Sequence, residues 1–289
     1  MKKWIMIFFA VMLFSMPKIS FADTAVGDII ITLGNDLTEQ QKQNLLNEMS
    51  VPENAQIVTV TNEEEHQYLG KYISKAQIGT KAISSSKITI EEKGSGLEVK
   101  TNNINWVTDE MYLNALMTAG IKDASIYVTA PFDVSGTAAL TGLIKAYEIS
   151  TNESIPEEIK QIANKELIET AKLGDKIGAE NAAALMAKIK EEISKNGLPQ
   201  NDQELKVMIE QAAKDLNITL SDEDIHNLMI LFNDFIDLNI DWNQVGDQLT
   251  KAKDQITKFL ESEEGKNLLS QIQDFIKSLW DTIMSIFSK

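Results

Sequence analysis

The chain contains two histidines, no cysteine and no arginine, so few of its side chains could catalyse a reaction or bind a metal. His66 and His226 both lie in acidic stretches. A zinc hydrolase uses about three nitrogen or oxygen ligands, typically with a histidine pair on one helix, and this sequence has no such pair. A Ser-His-Asp triad can form from residues far apart in sequence, but no Gly-x-Ser-x-Gly turn supports one. We interpret both as ordinary surface histidines.

Ser135-Gly136-Thr137 lies between a predicted strand and a predicted helix, where backbone N–H groups can hold an anion. The surrounding residues match neither a phosphate-binding loop nor a dinucleotide fingerprint. We therefore interpret this segment as a tight turn followed by a small-residue helix that packs closely.

Asp237, Asn239 and Asp241 have the spacing of the first three ligands of a calcium loop. Trp242 occupies the sixth position, where glycine is needed, and Gln248 the twelfth, where glutamate is needed. An N-cap at Asp241 explains the segment more simply, so these three residues are only a weak calcium candidate. We expect no cofactor.

The C-terminal segment carries an apolar stripe of heptad type. Its polar face lacks the excess of lysine that is typical of membrane-surface helices. The simplest interpretation is packing within the protein's own bundle, and docking onto a partner helix or a membrane is the alternative. The candidate docking residues are Leu269, Ile272, Ile276, Leu279, Ile283 and Ile286.

Residues 23–150 mix strand and helix signals and predict an α+β domain with a small mixed or antiparallel sheet. Thr38 and Gln41 have the spacing of a capping box. The predicted strands cover residues 26–33, 57–60 and 126–128, and a hairpin covers 83–103. The predicted helices are one after Thr38, one over 63–72 capped by Asn62, one over 109–119 capped by Thr108, and one over about 137–147.

Residues 150–156 are polar and contain a proline, which predicts a linker. Residues 156–289 show no strand signal and predict an all-α helical bundle that ends in an amphipathic helix. Ser221 and Asp241 are candidate N-caps. The predicted helices cover residues 156–173, 179–195, 202–216, 222–238, 242–261 and 263–287.

Residues 1–22 have the features of a secretory signal peptide. Lys2 and Lys3 precede an uncharged apolar run, and Ser20-Phe21-Ala22 provides a cleavage site. The run is shorter than the roughly 20 residues that a membrane span needs. We expect cleavage near Asp23 and a secreted protein associated with the cell envelope.

The chain carries a net charge of −16, and all 27 of its basic residues are lysine. Arginine is the residue that grips phosphate in a bidentate fork, and nucleic-acid binding relies on neutralising phosphates. We therefore expect no nucleic-acid partner. Without cysteine the exported chain has no disulfide bonds, so its packed core must hold it together.

Several stretches resemble the YpuA-like family of secreted proteins from Gram-positive bacteria. This family is a domain of unknown function, so the resemblance implies an extracytoplasmic envelope setting and supplies no catalytic residue. The similar stretches are residues 25–28, 60–66, 68–73, 76–79, 109–120, 128–132, 134–148 and 172–178.

The leading hypothesis is a non-enzymatic binding or assembly module that acts on an envelope protein or a cell-wall component. The main alternative is a wall-active hydrolase that uses paired carboxylates, because two such groups need proximity in space and not in sequence. A binder of divalent cations that exploits the acidic charge is a third option.

Overall fold

A computed structural model describes residues 26–53 and 55–261 of the chain, apart from the side chains of residues 76, 77 and 254–261. The predicted signal peptide and the apolar stripe from Leu269 to Ile286 lie outside the described residues. Both therefore stay predictions.

Five strands form one mixed sheet in the order β2-β1-β3-β5-β4. The parallel pairs are β1 with β2 and β4 with β5, whereas β3 runs antiparallel to both β1 and β5. The strands are β1 (Ile29–Gly34), β2 (Gln56–Val60), β3 (Ser85–Ile90), β4 (Leu97–Ile104) and β5 (Ala124–Val134).

The hairpin predicted over residues 83–103 is wrong, because β5 lies between β3 and β4. The turn itself is present, and Gly94 and Gly96 adopt the positive φ values of 97° and 85° that favour glycine. The helix that follows β4, α4 (Asp109–Thr118), connects β4 to β5 and lets these two strands pair in parallel. This crossover places Ile126 and Val128 of β5 in the interior of the sheet, at 2% and 0% exposure.

The predicted capping box closes the first helix, where Thr38 Oγ1 accepts from the Gln41 N–H and Gln41 Oε1 accepts from the Thr38 N–H. At the second helix the cap is Thr61 and not Asn62, and Glu64 completes a second box. The helices of this half are α1 (Glu39–Glu48), α2 (Asn62–Leu69), α3 (Lys75–Ile78), α4 and α5 (Thr137–Thr151).

Helices cover both faces of the sheet. On one face α5 lies against β1, β2 and β3. A Cβ atom added at Gly142 of α5 would lie 2.9 Å from Thr32 Oγ1, so this helix sits directly on the strand. On the other face, Leu45 of α1 and Met49, the C-cap residue that follows α1, pack with Ile31 of β1.

The second half of the described chain contains five helices, close to the predicted bounds. Ser221 is confirmed as an N-cap, and it forms a capping box with Asp224. Asp241 is also confirmed, because its Oδ1 accepts the Gln244 N–H at 3.0 Å. The helices are α6 (Glu157–Ile177), α7 (Ala179–Asn196), α8 (Asp202–Asp215), α9 (Asp222–Ile236) and α10 (Trp242–Glu261). None of the described helices is long and apolar enough to cross a membrane.

The two halves share apolar contacts. The largest core cluster joins the sheet to Leu167 of α6, Ala183 of α7 and Ala252 of α10. The mixed α/β composition is therefore as predicted, whereas the division into domains at 23–150 and 156–289 stays a prediction.

A fully buried ion pair lies where the halves meet. Lys190 of α7 donates from Nζ to Glu166 Oε1 of α6 at 2.5 Å, and both side chains have zero exposure. The same ammonium donates to Thr118 Oγ1 at 2.7 Å and to the Asn114 carbonyl at 2.8 Å, both on α4. Thr118 in turn donates to Glu166 Oε2 at 2.5 Å. Burial lowers the pKa of Lys190, and the Glu166 charge opposes that shift.

We expect Lys190→Met to destabilise the protein by about 3–5 kcal/mol, because it leaves the Glu166 carboxylate buried without a counter-charge. Adding Glu166→Leu removes that charge and restores most of the loss. Urea unfolding followed by circular dichroism measures both changes.

Lys195→Met is the matched control, because Lys195 pairs with Glu191 at the surface and its side chain is 59% exposed. The control changes stability by less than about 1 kcal/mol. A Lys190→Met variant as stable as the control would contradict this account of the pair.

Candidate functional site

A cavity of about 610 Å³ lies between the loops at one end of the sheet and the first turns of α10. Its volume falls in the range of about 300–1,000 Å³ that is typical of small-molecule sites. The loop wall contains Glu91, Lys93 and Lys122, and the helix wall contains Asp241 and Asp247.

Three buried polar residues lie at the base of this junction cavity, namely Asp123, Tyr147 and Gln248, at 8%, 4% and 2% exposure. Asp123 is fixed from two sides. Its carbonyl accepts the Glu91 N–H at 2.8 Å, and its Oδ1 accepts the Gly96 N–H at 2.9 Å. These bonds hold both loops of the wall together.

Burial raises the pKa of Tyr147 to about 12, with further contributions from the Glu153 and Asp123 charges, and a backbone hydrogen bond from Lys122 opposes the shift. The phenol is therefore a neutral hydrogen-bonding group at any physiological pH.

Gln248 presents a buried polar atom that the described protein leaves unsatisfied. Its Oε1 has no hydrogen-bond partner among the described residues. A buried acceptor without a donor costs about 1–3 kcal/mol, so such atoms are uncommon in native proteins. Because this atom is itself buried, a ligand in the cavity would reach it only after the Gln248 side chain turns.

The charges around the junction cavity are mostly not paired with one another. Within the described part of the chain, neither Lys93 nor Lys122 forms a salt bridge, and Lys251 Nζ lies 3.6 Å from Asp123 Oδ1. In a second groove, of about 560 Å³ between α6 and α9, the lysines are instead paired with carboxylates. There Lys172 bonds to Glu169 at 2.9 Å and Lys176 bonds to Asp224 at 2.8 Å.

The calcium candidate gains no support from the described residues. Asp237 ends α9 as its C-cap, and Asp241 begins α10 as its N-cap. Among residues 26–53 and 55–261, no group of three or more histidine, aspartate or glutamate side chains is placed to hold a metal ion. The interpretation of Asp237, Asn239 and Asp241 as ligands is untested, although Asp241 does line the junction cavity.

The other sequence candidates lie apart from the junction cavity. His66 Nε2 is 3.1 Å from the Gly79 carbonyl, and His226 is exposed on α9. Gly136 has a φ of 89°, and an added Cβ would lie 2.5 Å from Ile104 Cγ2. The segment around Gly136 is thus a tight turn in close packing, as the sequence predicts.

Two carboxylates have raised pKa values, which is the property that a catalytic acid requires. Burial raises the pKa of Glu65 to about 8. The charge of Asp36 adds to this shift, and a hydrogen bond from Asn62 opposes it. Burial also raises the pKa of Asp109. Neither residue lines the junction cavity, the α6–α9 groove or the two cavities of about 400 and 460 Å³ beside α8.

Residues 33–252 match the model of a family described as a protein of unknown function, DUF1002. The chain belongs to this family. The matched segment of this family member runs from β1 into α10 and so includes both walls of the junction cavity.

The chain is also 63% identical to the "Uncharacterized protein YpuA" of Bacillus subtilis strain 168, over 99% of this chain and 100% of the relative. The resemblance to the YpuA-like family is thereby confirmed. No solved structure is significantly similar to the chain.

Sequence reasoning did not identify Lys93, Lys122, Tyr147 or Gln248 as site residues. The loop lysines stand beside turns, and the tyrosine and the glutamine fall within helical patterns, where none of them differs from ordinary surface or core residues. Asp241 was recognised, but only as a cap and as a weak metal ligand.

Glu65 makes the stability of the protein depend on pH. Its pKa in the folded protein is about 8, above the ordinary value of 4.5. The contribution of Glu65 to the free energy of unfolding is therefore largest below about pH 4.5. It falls by on the order of 3–5 kcal/mol in total as the pH rises through about 8. We expect Glu65→Gln to remove this loss, so that the variant is the more stable protein at pH 8.

Thermal unfolding between pH 5 and pH 9 tests this prediction. Glu63→Gln is the control, since Glu63 is exposed on the same helix. Parallel pH profiles for the Glu65→Gln variant and the unsubstituted protein would show that Glu65 is ionised in the fold at all of these pH values.

Proposed function

We propose that the protein is exported and acts without catalysis, as a binding or assembly module at the cell wall or at the outer face of the membrane. The observation that carries this proposal is the junction cavity, with its fixed polar base and with two rim lysines, Lys93 and Lys122, that form no salt bridge among the described residues. The signal-peptide features of residues 1–22 support the location. The apolar stripe at Leu269, Ile272, Ile276, Leu279, Ile283 and Ile286 supports attachment to a partner or a membrane.

Binding is favoured over catalysis by the positions of the carboxylates. A glycosidase needs two carboxyl groups on either side of one cleft, about 5–10 Å apart, and one of them needs a raised pKa. Glu65 on α2 and Asp109 at the start of α4 have raised pKa values, but they line none of the four cavities described above. The junction cavity has a suitable size for a ligand and lacks both of these acids.

One observation favours the alternative, a wall-active hydrolase that uses paired carboxylates. Glu65 is 1% exposed, its Oε1 has no partner among the described residues, and the charge of Asp36 acts on it. Glu65 and Asp36 are therefore the acid pair to test under this alternative. Hydrolysis would require substrate to reach Glu65, which the surrounding packing prevents in this conformation.

The test is sedimentation of the purified protein with insoluble cell-wall preparations and, separately, with lipid vesicles. We expect the protein to sediment with one of them and to release no soluble wall fragments, as measured by liquid chromatography. Deletion of residues 268–289 separates the two means of attachment, because wall binding through the cavity persists without them whereas attachment through the stripe is lost.

Release of soluble fragments that disappears in the Glu65→Gln variant would establish the hydrolase in place of the binding module. Failure to sediment with either the wall preparation or the vesicles would overturn the envelope-binding proposal. Glu63→Gln serves again as the matched control for the hydrolase assay, since it removes a neighbouring exposed carboxylate.

A further inference from the structure

Residues 62–81, which lie between β2 and β3 and carry α2 and α3, form a flap on α6. The flap has a small apolar cluster of its own, in which its residues Leu69, Ile73 and Ile78 pack with Ile168 of α6. All four side chains are buried, at 6% exposure or less. A segment with so few buried apolar contacts is the kind that opens locally while the rest of a protein stays folded.

Polar contacts at the surface add to the attachment of the flap. Lys71 Nζ donates to Gln161 Oε1 at 3.1 Å, and Tyr68 Oη donates to Glu157 Oε2 at 3.3 Å. Both bonds are exposed, so water competes for their donors and acceptors and each contributes little to docking.

Both ends of the flap are fixed. Thr61 caps α2 directly after β2. At the other end the Ala82 N–H donates to Asp36 Oδ2 at 2.8 Å, and the Asp36 N–H donates to the Ala82 carbonyl at 3.1 Å. Gly79 lies just inside this end with a φ of 86°, a conformation that favours glycine. Movement of the flap between these fixed ends leaves β2 and β3 paired in the sheet.

The closed flap buries a carboxyl group that has almost no hydrogen bonds. Glu65 of α2 is 1% exposed, and its Oε1 has no partner among the described residues. Its Oε2 accepts from Asn62 Nδ2 at 3.3 Å. An ionised carboxylate needs water or several donors, so the closed flap favours the protonated form of Glu65.

The charged groups around α2 do not compensate the Glu65 charge. Among the described residues no lysine forms an ion pair with Glu65, and Asp36 repels its negative charge. Lys145 of α5 is paired with Glu64 at 2.6 Å. The other ionisable groups at this interface are His66 and Tyr68 of α2, Lys75 of α3, and Glu157 and Lys172 of α6.

We propose that the flap is a pH-dependent device, which opens when Glu65 loses its proton to solvent. The ionised carboxylate reaches water only when α2 moves, so deprotonation and opening are linked. Opening exposes Leu69, Ile73 and Ile168, an apolar surface that the closed flap conceals. The inference goes beyond the proposed function, because it holds whichever envelope component the protein binds.

The range of pH in which the flap responds follows from the two states of Glu65. Burial raises the pKa of Glu65 to about 8 in the closed form, whereas the carboxyl has its ordinary value of 4.5 once it is exposed. The open form therefore gains up to about ten-fold in population for each pH unit between these two values, and the gain levels off above about pH 8.

Limited digestion of the purified full chain with trypsin measures this opening, because cleavage of a transiently opened segment follows its open population. The trypsin sites of the flap are Lys71, Lys75 and Lys81. Fragments that end at these residues are quantified by mass spectrometry at pH 6, 7 and 8, and each rate is divided by that of a short unstructured lysine peptide. We expect the normalised rate to rise at least about ten-fold from pH 6 to pH 8.

Three variants show whether Glu65 controls the flap. Glu65→Gln cannot ionise, so its normalised rate should stay at the low pH 6 value throughout. Glu63→Gln removes an exposed carboxylate from the same helix and should keep the full rise. Ile73→Ala weakens the apolar cluster and should raise the rate at every pH, which shows that cleavage reports undocking.

Lys190 distinguishes local opening from unfolding of the whole protein, because its side chain is fully buried in the core. Its normalised cleavage rate should not change between pH 6 and pH 8. Cleavage after Lys190 that rises in step with cleavage of the flap would overturn the proposal. A flap rate that does not depend on pH, or an equal rise in the Glu65→Gln variant, would overturn it as well.

Discussion

An ammonium and a carboxylate that are both removed from water must keep each other as neighbours, since separating them leaves a buried charge. In this protein that constraint falls on three helices. Lys190 comes from α7, Glu166 comes from α6, and α4 completes the shell through Thr118 and the carbonyl of Asn114. The sheet-bearing half and the helical half are thus fixed to one another by a polar contact of defined geometry, within the apolar core that they share.

The junction cavity depends on that fixed arrangement. Its helix wall, α10, packs on α7 and α4, the same helices that hold the ion pair. The contact with α7 is close, because a Cβ atom at Gly246 would lie 2.2 Å from Ser194 Oγ. Gln244 adds a bond from its Nε2 to the Gly120 carbonyl at 2.8 Å, just after α4. The α10 wall of the cavity is therefore held in place by packing and by this hydrogen bond.

Local features of the fold were predictable from the sequence, and long-range features were not. The caps at Thr38, Ser221 and Asp241 follow from short-range hydrogen bonds, which the residue types determine. The pairing of β3 depends on long-range packing. The neighbour of β3 is β5 and not β4, since the crossover helix α4 returns the chain to the sheet between them. For the same reason no sequence signal places Lys93 and Asp247 in the lining of one cavity, since the two walls meet only in the assembled fold.

The order of the cavity's parts along the chain has a consequence for synthesis. Loops near residues 91–94 and 122–123 supply one wall, and residues 241–251 supply the other. A chain that emerges from its N-terminus therefore completes nearly all of its fold before the cavity closes. Fragments cut short before α10 have only the wall that the loops supply, so degradation that reaches α10 from the C-terminal side removes the other wall of the cavity. Intact length and a working cavity are thus coupled in this protein.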